Sequence, residues 1–353
     1  MKSINLKTIK KLDKKNLYYS IQELSLQCFQ VIDEMKKIKI PMNYKKIDNI
    51  IVGGMGGSTL GAHIIKSVFS EKLKVPMEIV NNYKLPAYLK RNSLSVISSY
   101  SGNTEETISC FNEARKRKVK IFIITSGGKL AALAKRYKIS SYIFKPKYNS
   151  CNAPRMALGY SIFAQLLLLH KIGLIKITKN EFKKSIETIE FFNKKFALQN
   201  KVDNQALKIA RAMFEKIPLI IGSEFLVGNC RAFRNQINEG SKNFSTFMEI
   251  PEIDHHLLEG LKNPKTNSKN LMFLFFNSNL YYKRNQLRYK ITQKIIKQHK
   301  INFLEYKMES KTKLSQSLEF LVLGSYASFY LAMLNNLDPS PNPYVDYLKK
   351  QMG

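Results

Sequence analysis

The sequence predicts an α/β protein made of two doubly wound halves, each a mostly parallel sheet flanked by helices. Three observations carry this. The 353 residues are enough for about two domains of ordinary size. Short apolar runs alternate with amphipathic stretches in two separate series. Most of those runs are almost continuously apolar, as strands covered on both faces must be. Apolar residues at 44% and aromatics at 11% are those of a globular chain, so disorder over most of its length is excluded.

The elements follow in order. Residues 1–46 read as a helical arm, because Ile21, Leu24, Leu26, Phe29, Ile32 and Met35 recur at helical spacing and Pro41 stops the pattern. Residues 47–155 hold the first series, with strands expected at 47–54, 77–80, 94–99, 120–126 and 141–144. Helices are expected between them near 59–69, 104–117 and 129–137. Residues 156–200, containing the run GYSIFAQLLLLHKIGLI, are expected as connecting helices. Residues 201–353 hold the second series, with strands at 217–222, 245–250, 270–276 and 302–306 and helices at 226–239, 284–299 and 313–335. No low-complexity linker divides the halves, so they are expected to pack tightly. The apolar stretch Phe320 to Leu334 is too short to span a bilayer and reads as a buried helix. The segment DPSPNP (338–343) ends that helix, and a tail containing VDYLKK follows.

Composition closes off several function classes. The 58 basic and 26 acidic residues leave a net charge of +32, which raises the possibility of a polyanion-binding surface. The lysines are scattered through every segment and only Lys7 to Lys15 clusters, with Asp13 interrupting it. The excess therefore reads as compositional drift, and neither nucleic acid nor membrane is expected as a partner. Cys28, Cys110, Cys151 and Cys230 lie far apart with no C-x-x-C pair, so zinc and disulfide frameworks are unsupported. The start, MKSINLKTIKKLDKKN, has no apolar core of a secretory signal. A cytoplasmic protein is the expectation.

The unusual residues fall at the carboxyl ends of the expected strands, where ligands sit in open parallel sheets. The first strand runs into GGMGGSTLG, a glycine turn that exposes backbone N–H groups at a helix start. It fails the dinucleotide fingerprint, since Thr59 stands at the third glycine position and the next strand ends in Asn81 and Asn82. It fails the Walker pattern too, lacking G-K-[ST]. The third strand ends in SSYSGNTEET, where Ser99, Ser101 and Thr104 surround a glycine and Asn103 with Glu106 resembles a helix cap. The fourth ends in TSGGKL, another glycine turn. Any one such turn caps helices everywhere. Three at one sheet edge point to a phosphate held by hydroxyls and amides, without metal or lysine.

GGMGGS, SYSGNTEET, TSGG and APR together resemble the sugar isomerase (SIS) domain. NEGSK and PEIDHH in the second half extend the resemblance to the bifunctional phosphoglucose/phosphomannose isomerase branch, over about residues 35–350. The resemblance implies two SIS-type subdomains and aldose–ketose isomerisation of glucose 6-phosphate, and of mannose 6-phosphate, to fructose 6-phosphate. It implies a phosphosugar substrate, no cofactor, no metal, and a homodimer with the active site near the subunit interface. Gly57, Ser58, Ser99, Ser101 and Thr104 match its phosphate-binding positions.

Four residues match its chemistry. On its residue type alone, Arg155 in NAPRMALGY pairs with a carboxylate or steadies an enediolate through its fork of donors. Glu239 in RNQINEGSK is a solvated helical acid, a partner of Arg231 or Arg234, or a base spanning C1 and C2. His255 in PEIDHH is structural or an acid–base group at the ring oxygen. The resemblance selects the chemical role for each and has His255 reach the other subunit's site, although His256 stands where the family carries Asn. Lys349 in VDYLKK matches a C-terminal lysine that helps open the ring, with Lys350 beside it. A sugar-phosphate-sensing SIS protein without catalysis is the alternative, though a sensor has no need of Arg155, Glu239 and His255 together.

Overall fold

The computed structural model describes residues 4–200 and 203–352, so the expected boundary at residue 201 lies outside the described residues. The arm consists of three helices, α1 (Leu6–Leu12), α2 (Leu17–Gln22) and α3 (Leu24–Lys37). The break between the first two is made by Asp13, whose carboxylate accepts from the Leu17 and Tyr18 amides at 2.8 Å. Leu24, Cys28, Val31 and Met35 form the buried stripe of α3, while Leu26 and Phe29 face outward. The apolar count along the arm is thus wider than its core face, because residues two or five apart fall on different sides of a helix.

The first sheet contains β1 (Asn49–Gly53), β2 (Met77–Val80), β3 (Ser93–Ser99), β4 (Lys120–Thr125) and β5 (Ser141–Ile143), all parallel, in the order β2-β1-β3-β4-β5. The helices α4 (Gly57–Val68), α5 (Glu105–Lys116) and α6 (Gly128–Arg136) follow β1, β3 and β4. Connections leave β1 toward one edge and β3 toward the other, which opens a crevice between their carboxyl ends. Two helices, α7 (Leu158–Lys171) and α8 (Lys179–Phe196), then lead to α9 (Gln205–Met213). The second sheet, β6 (Ile217–Ser223), β7 (Thr246–Ile250), β8 (Leu271–Asn277) and β9 (Asn302–Lys307), is again parallel with order β7-β6-β8-β9. Around it lie α10 (Val227–Gln236), the single turns α11 (Leu257–Gly260) and α12 (Asn267–Asn270), α13 (Lys283–Gln298), α14 (Lys313–Leu334) and α15 (Pro343–Met352). Every expected strand is present.

One core joins the halves. By length and apolar composition α14 resembles a membrane span, yet it is buried from Gln316 to Leu334 and packs against α8, α9 and α10. Across the seam, α4 packs against both α7 and α10. The last contact is a backbone approach: a Cβ on Gly228 would lie 2.4 Å from the His63 carbonyl oxygen. Only glycine allows α10 that close. Gly228→Ala is therefore expected to destabilise the protein by about 1–3 kcal/mol through overpacking, read as a lowered thermal midpoint. Gly260→Ala, where a Cβ meets nothing within 4 Å, should leave the midpoint near that of the wild type.

His63 itself sits in this seam. Burial, followed by the Arg231 charge, lowers its imidazole from 6.5 to about 4. Between those values the unfolded chain takes up a proton that the folded chain refuses, so stability falls as pH drops from about 6.5 to about 4. Urea unfolding as a function of pH should show that fall, and His63→Gln should reduce its slope.

Candidate active site

The site grows from the crevice between β1 and β3. After β1 the chain turns through Gly56, whose φ of 50° is in the left-handed region, and enters α4 at Gly57. The second loop, after β3, is tied to this helix start: Tyr100 N donates to Ser58 Oγ at 3.0 Å, and Ser98 Oγ donates to the Ser58 carbonyl at 2.8 Å. Within the second loop Ser99 Oγ lies 3.0 Å from Thr104 Oγ1 and accepts from Gly102 N at 3.1 Å, while Ser101 Oγ accepts from Asn103 N at 3.3 Å. Gly57, Ser58, Ser99, Ser101 and Thr104 thus fall on two adjoining loops at the start of two helices, where amides and hydroxyls suit a dianion.

Two details differ from the sequence reading. Thr104, not Asn103, is the N-cap residue of α5, and Asn103 Oδ1 instead accepts from Lys129 N at 2.9 Å. The Asn103 side chain therefore bridges to the third loop instead of closing its own helix. That third loop is turned inward: Thr125 Oγ1 bonds Gly127 N and O, and Ser126 Oγ donates to the Tyr100 carbonyl at 2.6 Å. A Cβ on Gly102 would fall 1.8 Å from the Gly127 carbonyl oxygen. The TSGG turn supports the second loop from beneath, with its hydroxyls spent on the backbone.

Arg155 lies twelve residues beyond β5, in a 3-10 turn over Pro154–Met156. A Cβ on Gly57 would lie 2.9 Å from the Pro154 carbonyl and 3.0 Å from the Arg155 amide, so the helix start and the arginine turn touch. The Arg155 side chain is 3% exposed. Nη2 donates to the Pro339 and Ser340 carbonyls at 2.7 and 2.9 Å. Nη1 lies 3.6 Å from Glu239 Oε2. With the Asn342 amide turned to satisfy its neighbours, its oxygen accepts from Nη1 at 3.0 Å and its nitrogen donates to the Glu239 carbonyl at 3.2 Å. Nε is buried without a protein partner. The carboxylate beside the arginine is the very one expected as base.

Glu239 reaches that position through an irregular turn. At Gln236 α10 gives way to a π turn over Ile237–Ser241, which re-aims the side chains it carries. Gly240 lets the turn approach Ser328 of α14, whose Oγ would be 3.1 Å from an added Cβ. The Glu239 side chain keeps 32% of its surface open. Arg231 and Arg234 do not pair with it; both guanidiniums lie over the Phe247 ring, at 5.2 and 5.4 Å.

Among the described residues, no hydrogen bond or ion pair joins His255 or Lys349 to Arg155 or Glu239. His255 is exposed in a short turn after β7 and, among the described residues, makes no hydrogen bond; its neighbour His256 lies 3.9 Å from Glu252. Lys349 is exposed on α15, a helix with no buried residue. Three contributors escaped the sequence reading: the Pro339–Ser340 carbonyls, Asn342, and Lys242. Lys242 donates through Nζ to the Glu239 carbonyl. Partial burial of its amine end, then the Arg155 charge, lower it from 10.5 to about 8 against the opposing pull of Glu239 and Asp338. Its spacing from Glu239 and the prolines of DPSPNP (338–343), a strap that follows α14, were the available signals.

Residues 43–171 match the SIS domain model, and residues 202–352 match that of the bacterial phospho-glucose isomerase C-terminal SIS domain. A bifunctional phosphoglucose/phosphomannose isomerase of Aquifex aeolicus is 30% identical over 86% of this chain and 90% of its own length. A namesake from Caldicellulosiruptor bescii is 29% identical over 96% and 99%. Among solved structures, a glucosamine-6-phosphate deaminase from Thermotoga maritima superposes with a TM-score of 0.63 at 18% identity, over 92% of this chain and 98% of that one. A glucose-6-phosphate isomerase like protein from Thermus thermophilus gives 0.59 at 14%, over 98% of each.

Proposed function

The chain belongs to the bifunctional phosphoglucose/phosphomannose isomerase family and is an aldose–ketose isomerase, and we propose that it interconverts glucose 6-phosphate, and also mannose 6-phosphate, with fructose 6-phosphate. In this reading the phosphate docks on Ser58, Ser99, Ser101 and Thr104 and on the backbone at Gly57. Glu239 takes the C2 proton of the open-chain aldose, leaving a cis-enediolate whose charge spreads over O1 and O2. Arg155 stabilises that charge with donors fixed beforehand, which costs no reorganisation during the reaction. Return of the proton to C1, with the hydroxyl proton passing from O2 to O1, gives the ketose.

The observation that carries the reading is the 3.6 Å approach of Arg155 Nη1 to Glu239 Oε2 beside the Gly57 loop. In this reading Glu239 and Arg155, from separate halves, would face the first two carbons of a phosphosugar held at the Gly57 loop. Lys349 and a His255 supplied by a second copy would open the sugar ring. Two features support a homodimer: His255 is exposed, and α15 presents Tyr344, Tyr347, Leu348 and Met352 to solvent. Four buried free cysteines fit a reducing compartment, and we place the enzyme in the cytoplasm.

Pure protein mixed with fructose 6-phosphate is expected to form aldose phosphate. Glu239→Gln should still bind the ketose but lose turnover by about 10²–10⁴-fold; full activity in that variant would remove the base assignment.

Mixing inactive Glu239→Gln protein with inactive His255→Ala protein tests the shared site. If His255 crosses the interface, each mixed dimer regains one intact site, and activity should recover to about a quarter of wild type after subunit exchange. No recovery, with exchange shown by native mass spectrometry, would place His255 in its own chain's site.

A further inference from the structure

Lys242 leaves the π turn in a left-handed conformation, with φ at 53°. That backbone reversal folds its side chain back over the turn it has just left. Nζ donates to the Glu239 carbonyl and lies 3.5 Å from the Pro339 carbonyl. Pro339 is also the acceptor for Arg155 Nη2. The lysine and the arginine therefore converge on one carbonyl, that of Pro339.

We propose that Lys242 is a positioning residue for the isomerisation, its ammonium locking the Glu239 turn to the Pro339 carbonyl that fixes Arg155. The proposal rests on the isomerase reading above. Its physical basis is that Glu239 hangs on an irregular turn whose next anchors lie two residues further on. These are Ser241 Oγ to the Ser328 carbonyl at 2.8 Å and Asn335 Nδ2 to the Ser241 carbonyl at 3.1 Å, so the Glu239 carbonyl itself is held by Lys242 and Asn342. A base on such a turn needs an external tie, because even a small displacement of a catalytic group costs rate steeply. A charged donor makes the stronger tie. The charged groups facing Lys242 are Arg155 from the 3-10 turn, Glu239 from the π turn and Asp338 from the strap. Burial of the amine, then the Arg155 charge, brings the ammonium down to about 8 against the pull of Glu239 and Asp338, so the lock weakens as pH rises through that value.

The test is a set of pH–rate profiles with fructose 6-phosphate for the wild type, Lys242→Met and Lys242→Arg, alongside thermal midpoints. The wild type should lose kcat above about pH 8. Lys242→Met should show kcat lowered about tenfold at pH 7, KM within about threefold, and no alkaline fall near 8. Its thermal midpoint should not drop, since the change removes a partly desolvated charge. Lys242→Arg, which stays charged, should recover most of the kcat and also lack the alkaline fall. Wild-type kcat in Lys242→Met, or an unchanged alkaline fall in both variants, would overturn the role of Lys242 while leaving the isomerase reading intact. A wild type that does not convert the ketose would overturn both.

Discussion

The buried guanidinium of Arg155 is the constraint around which the site is organised. A cation taken out of water needs acceptors for its donors or it is not tolerated. Here the acceptors come from far along the chain: carbonyls of Pro339 and Ser340, the Asn342 amide oxygen, and the Glu239 carboxylate. Satisfying one side chain therefore pins together the turn at 154–156, the π turn at the end of α10 and the strap after α14. The donor that receives nothing, Nε, is the exception in a group otherwise held on every side.

The glycines set how closely these pieces come. Gly57 lets the start of α4 rest against Pro154 and Arg155, and Gly102 lets the serine loop lie on the Gly127 carbonyl. Gly228 brings α10, the helix that leads into the Glu239 turn, against α4. The same helix α4 thus carries the proposed phosphate-binding end at its N-terminus and the seam between the halves on its flank. A change in how the two halves pack would be transmitted to the separation of Glu239 from the loops proposed to hold the phosphate.

How much of this was legible in the sequence depends on whether a feature is local. The strands were readable because most are near-continuous apolar runs bounded by turn residues, and α14 because its apolar stretch from Phe320 to Leu334 is too short to span a bilayer. The serine and glycine loops were readable because their chemistry lies within a few consecutive residues. Arg155 and Glu239 were legible as candidates, but their pairing was not, since 84 residues separate them and no spacing rule joins a 3-10 turn to a π turn. The role of DPSPNP was hidden for a related reason. It acts through main-chain carbonyls, which every residue has, so only its prolines hinted at a fixed shape. The inward turn of TSGG was equally invisible, because a hydroxyl facing a ligand and one facing the backbone look alike in sequence.

The π turn beneath Glu239 carries a consequence of its own. Each residue of a regular helix rotates the chain by about 100°, so a turn holding one residue more than the ladder needs is a stored rotation. Deleting a single residue between Ile237 and Ser241 would let α10 continue as an ordinary helix and swing the acid to another side. On the proposed reading, relatives that keep the fold and the arginine yet lack that extra residue would carry no base at this point, and the length of five positions would tell them apart.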